Sequence, residues 1–293
     1  MKSKLIQKSL LNIFFILLSL LFIIPIVSIF SISLTSEADI LEFGYHIIPR
    51  SIDTIAYEYV FKNPKQIIDS YKVTILISVV GTILSTLLML MCSYTLARKG
   101  FKYKRVISFY LFFTLLFNGG LIPSYILTAK YLNLRDTIWV LILSGLVNVW
   151  YIFILRTFIQ GIPESIIESA LIDGASEYRI FSALIIPLSI PAIATIGLLN
   201  LFGYWNNWVT ALLYIQNREL YPLQYLLQKI MMDIQAVMAN MDKLPREVIE
   251  EMDIPSETTR MALAVVAAGP MLFIMPFFQK YFVRGMTVGA IKG

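Results

Sequence analysis

The chain has 293 residues, 58% of them hydrophobic and 15% charged, with a mean hydropathy of +0.74. Soluble domains carry about 25% charged residues, so this composition excludes a single-core soluble fold and selects a polytopic membrane protein. A lone cysteine, Cys92, excludes an intrachain disulfide framework and reads as a small buried hydrophobe, while the net charge of +5 sits in short flanks of the apolar runs.

In chain order, Lys2, Lys4 and Lys8 precede an apolar run from Leu10 to Leu34. That run exceeds a signal-peptide core, and no small-residue cleavage site closes it, so a retained anchor is expected. Five more runs of the ~20-residue length that crosses a bilayer lie at about 71–97, 105–128, 136–159, 188–213 and 259–281. The predicted fold is all-α, with six transmembrane helices in one domain over 1–293 and a core at about 70–281.

Orientation follows the basic residues. Lys2, Lys4 and Lys8, then Arg98, Lys99, Lys102, Lys104 and Arg105, then Lys280, Arg284 and Lys292 mark one side as cytoplasmic. The long loops on the other side, 35–69 and 214–258, lean acidic. Both termini are therefore expected inside, together with the segment 161–187. All 43 charged residues fit in loops or at span ends, where Lys72, Arg156 and Arg260 can snorkel. An ion-coupled transporter usually keeps an ionisable residue within its spans, and an intramembrane protease needs a catalytic polar set. Neither pattern is present. The one histidine, His46, stands in an outer loop without partners of metal-ligand spacing, so it reads as a solvated loop residue and no metal is expected.

The third span contains Asn118-Gly119-Gly120 and Pro123, with Tyr125 close behind. Two readings stand for it. Free backbone groups at membrane depth can line a wet cavity, or the glycines can form a notch for helix packing.

Between spans four and five, the run from Gly161 to Pro191 reads as a helix-turn-helix. Pro163 suits a first helical turn, and Glu164 complements the positive end of the helix dipole. Ile166, Ile167, Ala170 and Leu171 form one apolar face. Asp173-Gly174 signals a turn, and a second helix follows with Phe181, Leu184 and Ile185 on one side. Helices that rest on lipid usually carry Lys and Arg on the polar face. This one carries Glu164, Glu168, Asp173 and Glu177 against Arg179, which favours a protein partner.

Span five ends in Tyr204, Trp205, Asn206, Asn207 and Trp208. Aromatic rings stack on sugar faces and amides pair with hydroxyls, so the set suits a sugar path. The aromatic belt at the lipid interface accounts for the tryptophans equally well. The outer loop 214–258 carries five methionines, which adapt readily to partners, and is expected to contain short helix. Ser256 is a candidate N-cap for span six.

The motif Glu168-Ser169-Ala170-x-x-Asp173-Gly174-Ala175, with Phe181, Pro187 and Pro191 downstream, resembles the "EAA" loop of ABC-importer permeases. Ser169 replaces the usual alanine. Asn118-Gly119-Gly120-Leu121-Ile122-Pro123, Trp205-Asn206-Asn207-Trp208, Tyr221-Pro222-Leu223-Gln224 and Gln279 to Gly285 are similar to the carbohydrate-uptake branch, in particular permeases of the maltose-transporter G-subunit type that serve complex oligosaccharides.

The resemblance implies a multi-pass protein of a bacterial cell membrane that translocates a carbohydrate, an oligosaccharide above all. It implies a coupling helix seated in a separate ATPase. Glu168 would offer a charged contact, and Ser169, Ala170 and Ala175 would allow close packing. The turn would lie at Asp173-Gly174, with Phe181 and Pro187 completing the loop. Implied partners are a homologous second permease, two ATP-binding subunits and an extracellular substrate-binding protein received by 214–258; lipid surrounds the spans, and no nucleic acid is involved. The glycine-punctuated tail from Arg284 would extend toward the ATPases. Path candidates are Asn118, Tyr125, Tyr204, Trp205, Asn206, Asn207 and Trp208. The sequence has no G-x-x-x-x-G-K-[ST] loop, so no cofactor is expected in this chain, and ATP and Mg would belong to the partner ATPase. Rival readings are a permease for a peptide or sugar-linked lipid, and a membrane scaffold or enzyme that uses the loop for docking.

Overall fold

In the computed structural model, residues 2–240 and 256–290 are described, and among them every regular element is helical. The helices are α1 (Lys2–Ser33), α2 (Glu37–Phe43), α3 (Ile55–Val60), α4 (Pro64–Ala97), α5 (Lys104–Leu116), α6 (Leu121–Ile126), α7 (Ile138–Leu143) and α8 (Val149–Gln160). They continue as α9 (Glu164–Ile172), α10 (Glu177–Ile180), α11 (Ile186–Leu188), α12 (Ile190–Trp205), α13 (Trp208–Tyr214), α14 (Leu223–Ala239) and α15 (Ser256–Ala290). π-helical turns follow α6 (Leu127–Tyr131) and α10 (Phe181–Ile185).

Three of these are long and apolar enough to cross a membrane unbroken: Gln7–Ser33, Pro64–Ala97 and Glu257–Phe277. The expected spans 105–128, 136–159 and 188–213 are interrupted, the first in keeping with the broken-helix reading of Asn118-Gly119-Gly120. The first breaks between α5 and α6 with a bend of 113°. There Gly120 takes φ +88°, and its N–H donates to Asn118 Oδ1 at 2.8 Å, so the side chain replaces a lost helical bond. The second breaks at Ser144–Asn148, where Asn148 caps α8 by accepting from the Trp150 N–H at 3.0 Å. The third bends by 79° at Ser189, between Pro187 and Pro191, and stops again at Asn206-Asn207.

Two smaller expectations also shift. Pro163 caps α9 from just outside, with ψ 127°, and does not occupy its first turn. The tail from Arg284, expected to be extended, continues α15 as far as Ala290, because each added residue gains one more ladder bond and Gly285 and Gly289 cost only about 1 kcal/mol each. Residues 241–255, and with them most of the outer loop's acids, lie outside the described residues; the helix expected in that loop is α14.

The chain divides into two compact units, 1–67 with 227–270 and 68–226 with 271–293. In the first, the Glu37 carboxylate caps α15, accepting from the Glu257 N–H (3.0 Å), the Thr258 N–H (3.0 Å) and the Thr258 hydroxyl (2.9 Å). α1 is apolar around its circumference and exposed along most of its length, as for a helix facing lipid or another chain.

The second unit has its core where α4, α8, α9, α10 and α12 meet: Met89, Leu90, Tyr94 and Leu96 from α4, then Ile152, Leu155 and Ile159 from α8, Ile167, Ile180, Phe181, Ile185, Ala192 and Ile196. Along α4, Ser70, Thr74, Ser78, Ser85 and Ser93 are buried in a stripe of small side chains that lets neighbouring helices approach closely. At ~1.5 Å per residue the 34-residue α4 is about 50 Å long, longer than the ~30 Å hydrocarbon layer.

Candidate functional site

The helix-turn-helix between α8 and α12 forms as its residues dictate. α9 ends in a paired-bond cap: the Gly174 N–H donates to Leu171 O at 3.0 Å, and the Ala175 N–H donates to Ala170 O at 2.9 Å. This closure requires a left-handed residue, and Gly174 supplies it with φ +78°. Ser176 then caps α10, accepting from the Arg179 N–H at 3.3 Å. Each half of the loop thus has its own stop or start signal.

The apolar face is narrower than the periodicity suggests. Ile167, Ala170 and Ala175 turn inward onto the core of the second unit, as do Phe181, Leu184 and Ile185 beyond the turn. The two alanines therefore serve the loop's own packing. Leu171, Ile172 and Tyr178 point outward, Ile172 with 86% and Tyr178 with 80% of their surface exposed. Glu168, Ser169, Asp173 and Gly174 share that exposed surface, and the Ser169 hydroxyl donates to Ser165 O at 2.8 Å. Pro187 sits in the last short helix before the Ser189 bend.

The four acids do not share one role. Glu164 pairs with Lys99. Glu177 accepts from Arg98 Nη2 at 2.8 Å and from the Tyr94 hydroxyl. Burial pushes the Glu177 carboxyl up, but the hydrogen bonds from Tyr94 and Arg98 and the guanidinium charge outweigh it and hold the group below the usual carboxylate range. The Lys99 ammonium is raised, mainly by its hydrogen bond to Glu164. Tyr94, Arg98 and Lys99 were not legible as members of this site. Arg98 and Lys99 read in the sequence only as markers of the cytoplasmic side, and nothing local links them to acids 65 or more positions away.

The expected path residues are distributed differently. Asn118 braces the α5–α6 break, and Tyr125 stacks on Tyr214 with centroids 5.4 Å apart and planes at 13°. Tyr204 is an interior residue, 4% exposed, whose hydroxyl donates to Ile142 O at 2.8 Å. Trp205 is also buried, near Tyr71 at 6.5 Å. Asn206 is exposed; its amide donates to Phe202 O at 3.0 Å, and its Oδ1 accepts from Gln224 Nε2 at 3.3 Å. Asn207 caps α13 through the Thr210 N–H at 3.2 Å, and Trp208 is half-buried in its first turn. Asn118 and Asn206 thus stay exposed while bonded within the protein, whereas Tyr204 and Trp205 hold the interior together. No three His, Cys, Asp or Glu side chains gather as for a metal among the described residues.

A family model described as "binding-protein-dependent transport system inner membrane component" matches residues 3–288. The chain belongs to this family. Among its relatives, the polygalacturonan/rhamnogalacturonan transport system permease protein YtcP of Bacillus subtilis (strain 168) is 34% identical over 280 residues, 96% of each chain. Protein LplC of the same organism is 36% identical over 271 residues, covering 92% of this chain and 90% of LplC. The fold is similar to the crystal structure of a bacterial ABC transporter involved in the import of the acidic polysaccharide alginate, with a TM-score of 0.78, 29% identity, and coverage of 96% of this chain and 98% of that one.

This permease is thus an all-α, multi-pass component of a cell membrane importer, and the loop 161–187 lies within the matched region. Its task is transport, not catalysis. It works in a complex with other transporter subunits.

Proposed function

We propose that this chain is one of two permease subunits of a binding-protein-dependent importer for an oligosaccharide, energised by two separate ATP-binding subunits that use ATP and Mg. The observation that carries the docking reading is the outward face of the loop. A rigidly capped turn presents Leu171, Ile172 and Tyr178 with Glu168 and Asp173 beside them, in a protein whose sequence has no phosphate-binding loop. Apolar and aromatic side chains held on short rigid helices suit insertion into a cleft, where such anchors contribute most of the binding energy. The six-span arrangement, both termini inside, and outer loops that receive a substrate-binding protein complete the reading. The exposed path candidates, Asn118 and Asn206, carry amides of the kind that pair with a hydroxyl-rich cargo. A carbohydrate cargo rests on the relatives, among them YtcP and the alginate importer.

Purification of the tagged chain from its own host provides the test. An ATPase and a second permease are expected to co-purify, and Ile172→Asp is expected to weaken ATPase retention about tenfold or more, as for loss of an interface anchor. Gly174→Pro should abolish transport-linked ATP hydrolysis in the reconstituted complex. Recovery of no ATPase, or unchanged hydrolysis in Gly174→Pro, would sink the docking reading. Uptake assays with uronate-containing oligosaccharides, neutral oligosaccharides and peptides separate the cargo classes; uptake of peptides alone would overturn the carbohydrate assignment.

A further inference from the structure

The loop is joined to the membrane helices by more than its two covalent ends. α4 finishes at Ala97, and the next two residues, Arg98 and Lys99, reach the two halves of the loop separately. Arg98 pairs with Glu177 at the start of α10, at 2.8 Å, and Lys99 pairs with Glu164 at the start of α9. One turn back on α4, Tyr94 donates its hydroxyl to the same Glu177 carboxylate and sets its ring against Phe181, centroids 5.4 Å apart. α4 is otherwise distant from the loop in the chain, with Tyr94 and Glu177 separated by 83 positions.

These contacts differ in strength. The Lys99 side chain is 80% exposed, and exposed pairs contribute little. The Arg98 side chain is only 22% exposed, and Glu177, although 56% exposed, also holds a buried tyrosine. Charge-assisted bonds of that kind are the strong ones and are directional. At its other end α4 is engaged too: Thr74 Oγ1 accepts from the Leu223 N–H at 2.7 Å, where the chain returns through Tyr221-Pro222-Leu223-Gln224.

We propose that Tyr94 and Arg98, clasping Glu177, are positioning residues that transmit movement of the docking loop to α4, with Lys99–Glu164 as a weaker second tie. Without these polar ties the loop would meet α4 only through apolar side chains such as Phe181, contacts without direction along which the two can slide. Pinned through α10, it carries the cytoplasmic end of α4 with it, and a continuous helix conveys the displacement to the outer face. The proposal rests on the reading of the loop as the seat of a partner ATPase.

The test uses the whole purified complex in proteoliposomes, in a Cys92→Ser background with Lys72→Cys as a reporter at the outer end of α4, where the Lys72 side chain is 71% exposed. The rate of maleimide labelling at position 72 is measured in the presence of ADP and of MgATP with vanadate. Nucleotide is expected to change that rate by about fivefold or more in the parent, a normal size for coupling between sites. In Arg98→Gln with Glu177→Gln, the ATPase should remain bound and hydrolyse ATP, while the nucleotide-dependent change at position 72 falls by more than half. Exchanging the charges, Arg98→Glu with Glu177→Arg, should restore most of it, which a residue needed merely for stability would not do. A full nucleotide response in the Gln pair, with the ATPase bound, overturns the transmission role. Absence of any ATPase from the parent complex overturns the docking reading instead.

Discussion

Tyr204 fills a slot left by two glycines. A Cβ on Gly81 would lie 2.5 Å from its ring and one on Gly145 3.1 Å away, and the hydroxyl is fixed on Ile142 O. The ring can yield to neither without losing that bond. Gly81→Ala is therefore expected to destabilise the protein by about 1–3 kcal/mol through overpacking, and Tyr204→Phe by about 1 kcal/mol through the lost hydrogen bond. Thermal unfolding in detergent checks both; an unchanged midpoint for Gly81→Ala would mean that the slot is wider than the structure has it. In the sequence, Tyr204 belongs to an aromatic and amide run that reads as a sugar path. That run carries no information on which side of α12 each residue faces, so Tyr204 and Trp205 looked equivalent to Asn206. Gly174 was legible because its role is local: the turn chemistry lies within six residues.

At the scale of elements, continuous helices were readable and interruptions were only partly so. α1, α4 and α15 follow from long apolar runs. The α5–α6 break was one of two readings of Asn118-Gly119-Gly120, and the left-handed Gly120 realises it. The gap between α7 and α8 was not anticipated, since a single glycine, Gly145, within an apolar run is a weak signal. The start of α15 shows how distant groups finish an element. Its first amides are satisfied by Glu37, some 220 positions earlier. Glu37→Ala is expected to cost about 1–2 kcal/mol, as for loss of a helix cap, and to speed hydrogen exchange at the Glu257 and Thr258 amides, with the centre of α15 unaffected. Unaltered exchange at those two amides would show that the cap contributes nothing.

For the whole molecule, the distribution of Lys and Arg sets the expected orientation, and that orientation determines which face meets which partner. In a Cys92→Ser background, an impermeant maleimide applied to intact cells should label Arg135→Cys and leave Tyr178→Cys unlabelled, with the reverse in inverted vesicles; both positions are exposed. Labelling of residue 178 from outside would invert the assignment and remove the loop from any cytoplasmic ATPase.

The all-α membrane class, the family resemblance and the turn at Asp173-Gly174 were readable from the amino acids alone. Each of these depends on apolarity summed over a span, on motif spacing or on backbone chemistry within a few residues. Folding alone pairs Glu164 with Lys99 and Glu177 with Arg98 while Glu168 and Asp173 stay exposed, and so brings Arg98 to the loop. Those assignments depend on which face of a helix is covered and on pairings 79 and 83 positions apart. Charge counting along a chain cannot register either, because a carboxylate that meets a guanidinium and one that meets water are the same letter.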